Sequence, residues 1–320
     1  MFGAFLYFAY ICSVINCTLE LLNLEYKIME RLKEVLAVVN NKGGVGKTTT
    51  VQSLAAALVR MNRKLRVLVI DLDPQMHLSI LHGWNQADDY FTTPTIYTAM
   101  RNGSSLPVYR TTRDGVYLVP GDDTLQDVDS DLFRQMNPKR VLQKCFGLPI
   151  DDHTDRECPK GEKVQPSVGS WKECDKEGLT TIIESFDYVL IDCAPALSQS
   201  TYNAMTVASG LLIPVQMEGL SVNGLGNIIV AMREVQSELN PNLELRGLLP
   251  TMVDARPKIV RDFIDYLQRS YGDFVCKTMI HRSVKMNEAQ TLKKDIYGYR
   301  FGQWSKVAND YEKLAEELFQ

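Results

Sequence analysis

The sequence contains, at residues 35–49, the stretch Val-Leu-Ala-Val-Val-Asn-Asn-Lys-Gly-Gly-Val-Gly-Lys-Thr-Thr, in which an apolar run meets a glycine-rich turn. The run Val35–Val39 predicts a buried strand, and Thr48 predicts the start of a helix. Glycines in such a turn allow backbone conformations that a side chain would forbid, so several amides can point at one phosphate group. Lys47 adds a full positive charge, and the Thr48 hydroxyl suits magnesium. We therefore predict a phosphate-binding loop made of Lys42, Gly43, Gly44, Val45, Gly46, Lys47, Thr48 and Thr49.

Two carboxylates follow the next predicted strand. Apolar residues at helical spacing over Thr48–Met61 predict a helix, and Arg66–Ile70 predicts a strand that pairs in parallel with the first. Asp71 and Asp73 leave the end of this strand beside the loop. In a nucleotide site, one such carboxylate can hold magnesium through water while the other orients the attacking water or takes its proton. The alternative is that Asp73 only caps a turn before the proline that follows it.

A third motif has the same form. Residues 186–195, Phe-Asp-Tyr-Val-Leu-Ile-Asp-Cys-Ala-Pro, form a hydrophobic run that ends in Asp192. We predict a strand whose terminal carboxylate holds magnesium through water, opposite Thr48. Cys193 is predicted to pack in the same turn. Three motifs of this kind in chain order are not common by chance, and together they indicate a nucleotide-phosphate site.

The remaining periodicity indicates the fold class. Further elements are predicted as strands at Val116–Val119, Gly210–Val215 and Leu245–Val253, and as helices at Ser130–Phe146, Val222–Leu239 and Val307–Phe319. Strands that alternate with helices are typical of α/β proteins. We expect a P-loop NTPase-type, doubly wound, mostly parallel sheet with helices on both faces.

Length and composition favour one domain. With 320 residues, 45% of them apolar, the chain can fill one large α/β domain, which we place at residues 29–320. Residues 148–178 are polar and are predicted to form an exposed insertion. Its His153, Cys158 and Cys174 do not have the spacing of a zinc site. The seven cysteines include no pair at two-residue spacing, which favours a reduced cytoplasmic setting.

Residues 1–28 form an apolar extension for which several interpretations stay open. The first charged residue is Glu20, and a helix that spans a membrane needs about 20 apolar residues. The segment could therefore be a membrane anchor or an apolar signal segment, although it has no basic start and no convincing cleavage site. The other interpretation is that translation begins at Met29, directly ahead of the first strand.

The motifs at residues 41–49 and 69–75 resemble the deviant Walker A and A′ motifs of the ParA/MinD/Soj ATPases. The ending Asp-Pro-Gln is closest to Soj-like ParA partitioning ATPases. This resemblance implies ATP and Mg²⁺ as cofactors and a homodimer in the ATP state. It implies that Lys42 reaches the partner's phosphates while Lys47 acts within its own chain, and that Asp73 positions the attacking water. The implied catalytic residues are Lys42, Lys47 and Asp73, and the implied magnesium ligands are Thr48 directly, with Asp71 and Asp192 through water.

The C-terminal half is similar to Soj-type proteins over residues 251–256 and 280–289, apart from His281, where the family usually has proline. The resemblance implies that residues at the positions of Arg256 and Lys285 bind DNA without sequence preference. We expect Arg282 to join them.

Charge counting supports a basic face independently of the resemblance. Twelve basic and six acidic residues lie between Arg246 and Lys306, although the net charge of the whole chain is −4. Such a face gives salt-sensitive binding to phosphates, and a solvated helical surface is the alternative. The final helix is acidic, so a basic amphipathic tail that would bind anionic lipid is absent from the end of this sequence.

The leading hypothesis is a partitioning ATPase that segregates plasmid, chromosome or mobile-element DNA. ATP would close the dimer, the dimer would bind DNA, and a ParB-like partner would stimulate hydrolysis and release. The expected location is the cytoplasm, in association with the nucleoid. The alternative is a MinD-like ATPase that positions a complex at the membrane through the N-terminal segment, which the acidic final helix disfavours. A ligase or reductase on the same scaffold, or a module that has lost hydrolysis, is disfavoured by the residues present.

Overall fold

The computed structural model describes residues 32–84, 94–147, 151–152, 181–217, 223–254 and 256–319. Residues 1–28, and the predicted insertion at 148–178 apart from Asp151 and Asp152, lie outside this part of the chain. Eight strands form the described sheet: β1 Glu34–Val38, β2 Val67–Leu72, β3 Pro107–Arg110, β4 Val116–Val119, β5 Asp151–Asp152, β6 Tyr188–Cys193, β7 Gly210–Gln216 and β8 Glu244–Thr251.

Helices connect most of these strands. They are α1 Lys47–Met61, α2 His77–Leu81, α3 Ile96–Asn102, α4 Val128–Leu132, α5 Val141–Phe146, α6 Ile182–Ser185, α7 Gln199–Val207, α8 Asn223–Glu238, α9 Lys258–Tyr271, α10 Val284–Thr291 and α11 Lys306–Phe319. None of the described helices is long and apolar enough to cross a bilayer.

The strand order is β5-β3-β4-β2-β6-β1-β7-β8. The pairs from β4 to β8 are all parallel, and β3 runs antiparallel to β4. The predicted α/β class with a mostly parallel sheet is therefore confirmed. The predicted pairing of the first two strands is wrong, because β6 lies between β1 and β2 and pairs with both. The hydrophobic pattern of the sequence indicates which segments are strands, but it does not indicate their order in the sheet.

Register brings the acidic strand ends together. Val38 of β1 and Asp71 of β2 are both opposite Asp192 of β6. Because the carboxyl ends of parallel strands lie at one edge of a sheet, this edge collects the loop after β1 and the acidic ends of β2 and β6.

The sheet is buried on both faces. Successive residues of β1 alternate between two apolar clusters, with Leu36 and Val38 in one and Val35 and Ala37 in the other. All five residues of the strand are buried. Burial on both faces explains why these strands are continuously apolar and not alternating in sequence.

The predicted helix at Ser130–Phe146 is wrong as a single element. It is divided into α4 and α5, with turns between them. Pro138 lies in the interruption and disfavours helical backbone at the residue before it. The side chain of Asn203 on α7 stabilises the break, since its amide donates to the Pro138 carbonyl at 2.7 Å and its oxygen accepts from the Leu142 amide at 2.9 Å.

The last helix, α11, packs against α1, the helix that follows the glycine-rich loop. The fully buried Tyr311 places its hydroxyl 3.5 Å from the Thr50 hydroxyl on α1. Arg246 donates to the carbonyl of Leu318 at 2.6 Å and forms an ion pair at 2.7 Å with Glu34 at the start of β1. The final helix is thus held both to the sheet and to the loop helix.

Candidate nucleotide site

The glycine-rich loop joins β1 to α1. Gly44 and Gly46 have φ angles of 74° and 91°, in the left-handed region that favours glycine, and Gly46 directly precedes the helix. The sequence predicted that glycines of the loop adopt backbone angles forbidden to other residues. In the structure Gly44 and Gly46 have such positive φ angles. The loop therefore turns its amides and the start of α1 toward one volume, as a phosphate site needs.

Contacts from distant strands fix the loop. The Asn40 side chain donates to the Pro214 carbonyl on β7 at 2.6 Å and accepts from the Lys42 amide at 2.9 Å. The Thr251 hydroxyl at the end of β8 donates to the Val45 carbonyl at 2.9 Å. The motif did not indicate Asn40 or Thr251, because their roles depend on strands that are far away in sequence.

The two lysines of the loop have different environments. Lys47 is buried, and its ammonium group donates to the Lys42 carbonyl at 3.1 Å. Burial lowers the pKa of Lys47, while the nearby carboxylates of Asp192 and Asp73 act in the opposite direction. Lys42 is half-buried at the mouth of the loop. Lys47 is thus held in its own site, whereas Lys42 has a more exposed position.

The carboxylates at the strand ends also differ from one another. Asp71 and Asp192 are fully buried, and Asp73 is 8% exposed. Burial raises the pKa of Asp71 to about 6. For Asp192 burial raises the pKa well above its usual range, the charges of Asp71 and Asp73 add to the increase, and the nearby Thr48 hydroxyl offsets part of it. The site thus contains three carboxyl groups and one buried ammonium group, that of Lys47.

Asp71 is engaged within the protein. Its oxygens accept hydrogen bonds from the Asp73 amide at 3.1 Å, the Ser79 amide at 2.8 Å and the Ser79 hydroxyl at 2.6 Å. The Ser79 hydroxyl also accepts from the Gly121 amide at 3.0 Å. A Cβ atom at Gly121 would lie 3.1 Å from the Asp71 carbonyl oxygen, so the chain after β4 approaches closely here. Sequence reasoning missed Ser79 and Gly121, and no local signal marks either of them.

Asp192 and Thr48 fit a magnesium ion. Both carboxylate oxygens of Asp192 are buried and accept no hydrogen bond of normal geometry in the described part of the chain, although the Thr48 hydroxyl lies close enough to offset part of the rise in the Asp192 pKa. A buried carboxylate of this kind is costly unless a cation joins it. The described residues contain no cluster of three or more His, Cys, Asp or Glu side chains that could hold a metal. Magnesium needs no such cluster, because it takes one or two carboxylates and completes its shell with phosphates and water.

Replacing Asp192 by asparagine is expected to stabilise the nucleotide-free protein by about 1–2 kcal/mol at pH 8. The raised pKa means that the folded chain keeps its proton to a higher pH than the unfolded chain, so stability falls as pH rises above the usual aspartate range. Asparagine carries no titrating group and so removes this decrease in stability. The charges of Asp71 and Asp73 still offset the positive charge of Lys47. Urea unfolding at pH 5 and pH 8 measures the effect.

The gain from Asp192→Asn should shrink at pH 5, and magnesium-dependent hydrolysis should fall. Asp114→Asn, on an exposed turn, is the control and should change neither quantity. Equal stabilities of wild type and Asp192→Asn at both pH values would contradict this account.

Two adjoining cavities meet at the loop. The larger, about 600 Å³, lies over Gly44, Lys47 and Asp73. The smaller, about 230 Å³, is lined from the other side by residues that include Ile280 and His281. They share Gly46, Thr49, Met252 and Gln290.

The predicted DNA-binding residues lie near one another but are partly neutralised. The Arg256 side chain is 89% exposed and forms an ion pair with Asp254 at 2.6 Å. Hydrogen bonds from Arg256, with a smaller contribution from the Arg282 charge, lower the pKa of Asp254 to about 2. Lys285 is exposed on α10. Arg246, counted in the basic segment, pairs with Glu34 and so contributes little to a basic face.

A family model, described as the CobQ/CobB/MinD/ParA nucleotide binding domain, matches residues 36–296. The chain belongs to this family. Its matched region includes the loop, Asp73, Asp192 and the C-terminal segment with Arg282.

The relatives of this chain include partitioning proteins of the same family. The sporulation initiation inhibitor protein Soj of Bacillus subtilis is 29% identical over 287 residues, which are 89% of this chain and 98% of that protein. The chromosome-partitioning ATPase Soj of Thermus thermophilus is 30% identical over 88% of this chain and 94% of that protein. The prediction of a ParA/Soj-type family member is thereby confirmed.

Solved structures agree on the fold. Cobyrinic acid a,c-diamide synthase from Mycobacterium smegmatis, solved with ADP and magnesium, is 28% identical with a TM-score of 0.65 and covers 89% of this chain and 93% of its own. An ATP complex of McdA from Cyanothece has a TM-score of 0.69 at 20% identity and covers 90% of this chain and 96% of its own. The expectation of ATP and Mg²⁺ is supported by the Mycobacterium smegmatis protein, which was solved with ADP and magnesium and also with an ATP analog and magnesium.

Proposed function

We propose that this protein is a ParA-type partitioning ATPase that binds DNA non-specifically in its ATP-bound dimeric state and leaves DNA after partner-stimulated hydrolysis. The supporting observation is that Lys47 and Asp73 line one cavity with the glycine-rich loop, and that the Asp192 carboxylate lies close enough to Lys47 to raise its pKa against the effect of burial. The Soj and ParA relatives favour partitioning over a metabolic reaction.

Each residue has a role in the proposed hydrolysis. Amides of the loop and Lys47 hold the phosphates of ATP, while Lys42 reaches the phosphates bound by the partner. Asp73 orients a water molecule, which attacks the γ-phosphorus; the bond to the ADP oxygen breaks, and Asp73 accepts the proton. Thr48 directly, and Asp192 through water, would hold magnesium, which would supply neutralisation of the phosphate charge.

The base and sugar need room beside the phosphates. The smaller cavity adjoins the loop at Gly46 and Thr49, on the side away from Asp73. Its lining combines apolar Met252 and Ile280 with polar groups, which suits a planar base with a polar edge. We place the base there.

DNA binding by the dimer is proposed for Arg256, Arg282 and Lys285. We expect the three side chains to act together, with a smaller contribution from Arg256 because it forms an ion pair with Asp254. Contacts of this kind make the affinity fall steeply with salt. The logarithm of the association constant decreases with the logarithm of the salt concentration, with a slope of about −0.9 for each phosphate contact.

The test is retention of DNA at two salt concentrations with ATP, with ADP and without nucleotide. Wild type should retain DNA at low salt with ATP alone, and Arg282→Ala/Lys285→Ala should lose this retention and reduce the salt slope. Arg63→Ala/Lys64→Ala removes the same charge from the exposed turn that follows α1 and should behave as wild type. If wild type shows no ATP-dependent retention, the proposal is wrong.

A further inference from the structure

His281 has a fixed orientation at the edge of the smaller cavity. Its segment runs beside the end of β8, with Val253 and His281 paired in parallel. Asp310, on α11, is 6% exposed, and its Oδ2 accepts both the His281 amide at 3.1 Å and the ring Nδ1 at 2.9 Å. Backbone and ring are thus held by one buried carboxylate.

This arrangement determines which ring nitrogen carries a proton. A carboxylate accepts hydrogen bonds and cannot donate them, so Nδ1 of His281 must be the donor to Asp310. In a neutral imidazole with Nδ1 protonated, Nε2 is an acceptor. Among the described residues the ring's hydrogen bond is the one made by Nδ1, so Nε2 remains for a ligand in the cavity that His281 lines.

We propose that His281 determines base specificity, by accepting through Nε2 a hydrogen bond from the 6-amino group of adenine, with Asp310 as its positioning residue. This rests on the proposed function, which places the base in the smaller cavity. Adenine has an amino donor at this position, whereas guanine and hypoxanthine have a carbonyl oxygen. Two acceptors facing each other in a half-buried cavity lose a hydrogen bond and leave both groups desolvated.

The other polar groups of the cavity discriminate less well. The Gln290 side chain already donates to the Thr49 hydroxyl at 2.8 Å. Asn287 lines the same cavity, but an amide side chain can rotate to offer either its oxygen or its NH₂ group, so it can pair with either kind of base. In contrast to these two amide side chains, the His281 ring offers an acceptor alone at Nε2, because Asp310 fixes the proton on Nδ1.

The experiment compares affinities for ATP, ITP and purine riboside triphosphate, measured at pH 8 by competition with a ribose-labelled fluorescent ATP. ITP replaces the amino group by a carbonyl, and purine riboside triphosphate removes it. Wild type should bind ATP about 10- to 100-fold more tightly than ITP, with purine riboside triphosphate between them.

Substitutions at position 281 separate the acceptor from the ring. His281→Phe should weaken ATP binding and reduce the ATP-to-ITP ratio to about 3-fold or less. His281→Gln should reduce the ratio similarly while it retains more ATP affinity, because its amide can pair with either base. Asn287→Ala is the matched variant in the same cavity, and any loss of affinity should be equal for ATP and ITP, so that the ratio stays as in wild type.

Asp310→Asn tests the positioning role with a spectroscopic readout. The side chain amide can donate to Nδ1 as well as accept from it, so the ¹⁵N shifts of the His281 ring should change from the Nδ1-protonated form to a mixture of tautomers. The ATP-to-ITP ratio should fall in parallel. A purely structural role of Asp310 would change stability and leave the ring shifts and the ratio unaltered.

The outcomes distinguish this inference from the proposed function. Equal binding of ATP and ITP by wild type, or an unchanged ratio in both His281→Phe and His281→Gln, overturns the role of His281 and leaves the ATPase proposal intact. Failure of wild type to bind any of the three triphosphates overturns both. Lys47→Ala should weaken ATP and ITP equally, because it contacts phosphate and not base.

Discussion

Replacing Asp73 by asparagine is expected to lower the rate of ATP hydrolysis by about 10²–10⁴-fold, the contribution typical of a positioned general base. Asp73 is nearly buried and lines the larger cavity with Lys47. Its Oδ1 accepts from the Gln75 amide at 2.9 Å, a contact that the asparagine oxygen can keep. The variant therefore retains the shape of the site and loses the group that takes the proton from water.

Single-turnover hydrolysis and equilibrium ATP binding measure the effect of Asp73→Asn separately. ATP affinity should change little, and DNA retention with ATP should persist without release. Asp114→Asn, which removes a carboxylate from an exposed turn, should hydrolyse ATP at the wild-type rate. A rate for Asp73→Asn within a few-fold of wild type would show that another group positions the water.

Replacing Lys42 by alanine is expected to lower hydrolysis by about 10³-fold, the lower end of the range for a cation supplied to phosphate by a partner. The Lys42 carbonyl holds the Lys47 ammonium group through the backbone, so alanine preserves that contact. Dimerisation with ATP should weaken as well. Lys64→Ala, in the exposed turn that follows α1, is the control and should leave both quantities unchanged.

Mixing the two inactive variants tests whether Lys42 acts on the partner's nucleotide. In a mixed dimer of Lys42→Ala and Asp73→Asn, one site combines an intact Asp73 with the partner's intact lysine. An equal mixture should recover about a quarter of the wild-type rate, since half of the dimers are mixed and one of their two sites is complete. If Lys42 acts within its own chain, neither site is complete and the mixture stays inactive.

The residues that could be predicted from the sequence are those whose motif lies within a short stretch of the chain. Gly46, which needs positive φ, and Lys47 directly after it lie in one short stretch, and Asp192 directly ends an apolar run, so each motif is visible within its own few residues. The family match over 36–296 includes all three residues. Their catalytic roles stay predictions until the variants are measured.

The supporting contacts were not predictable because they join distant parts of the chain. Asn40 reaches β7, Thr251 reaches the loop from β8, and Ser79 joins Asp71 to Gly121. Each is a common polar or small residue whose role depends on which strands are neighbours. The error over the first two strands has the same cause, since only tertiary structure places β6 between them.

The central position of β6 has a consequence for synthesis of the protein. Both β1 and β2 depend on β6 for hydrogen bonds along one edge, yet β6 ends only at Cys193. A nascent chain that has reached α5 therefore carries two apolar strands with open edges toward the missing strand, which are prone to mispairing. Pairings between residues so far apart also close slowly. Ribosome-bound chains of increasing length should accordingly gain ATP binding only after residue 193 has left the exit tunnel.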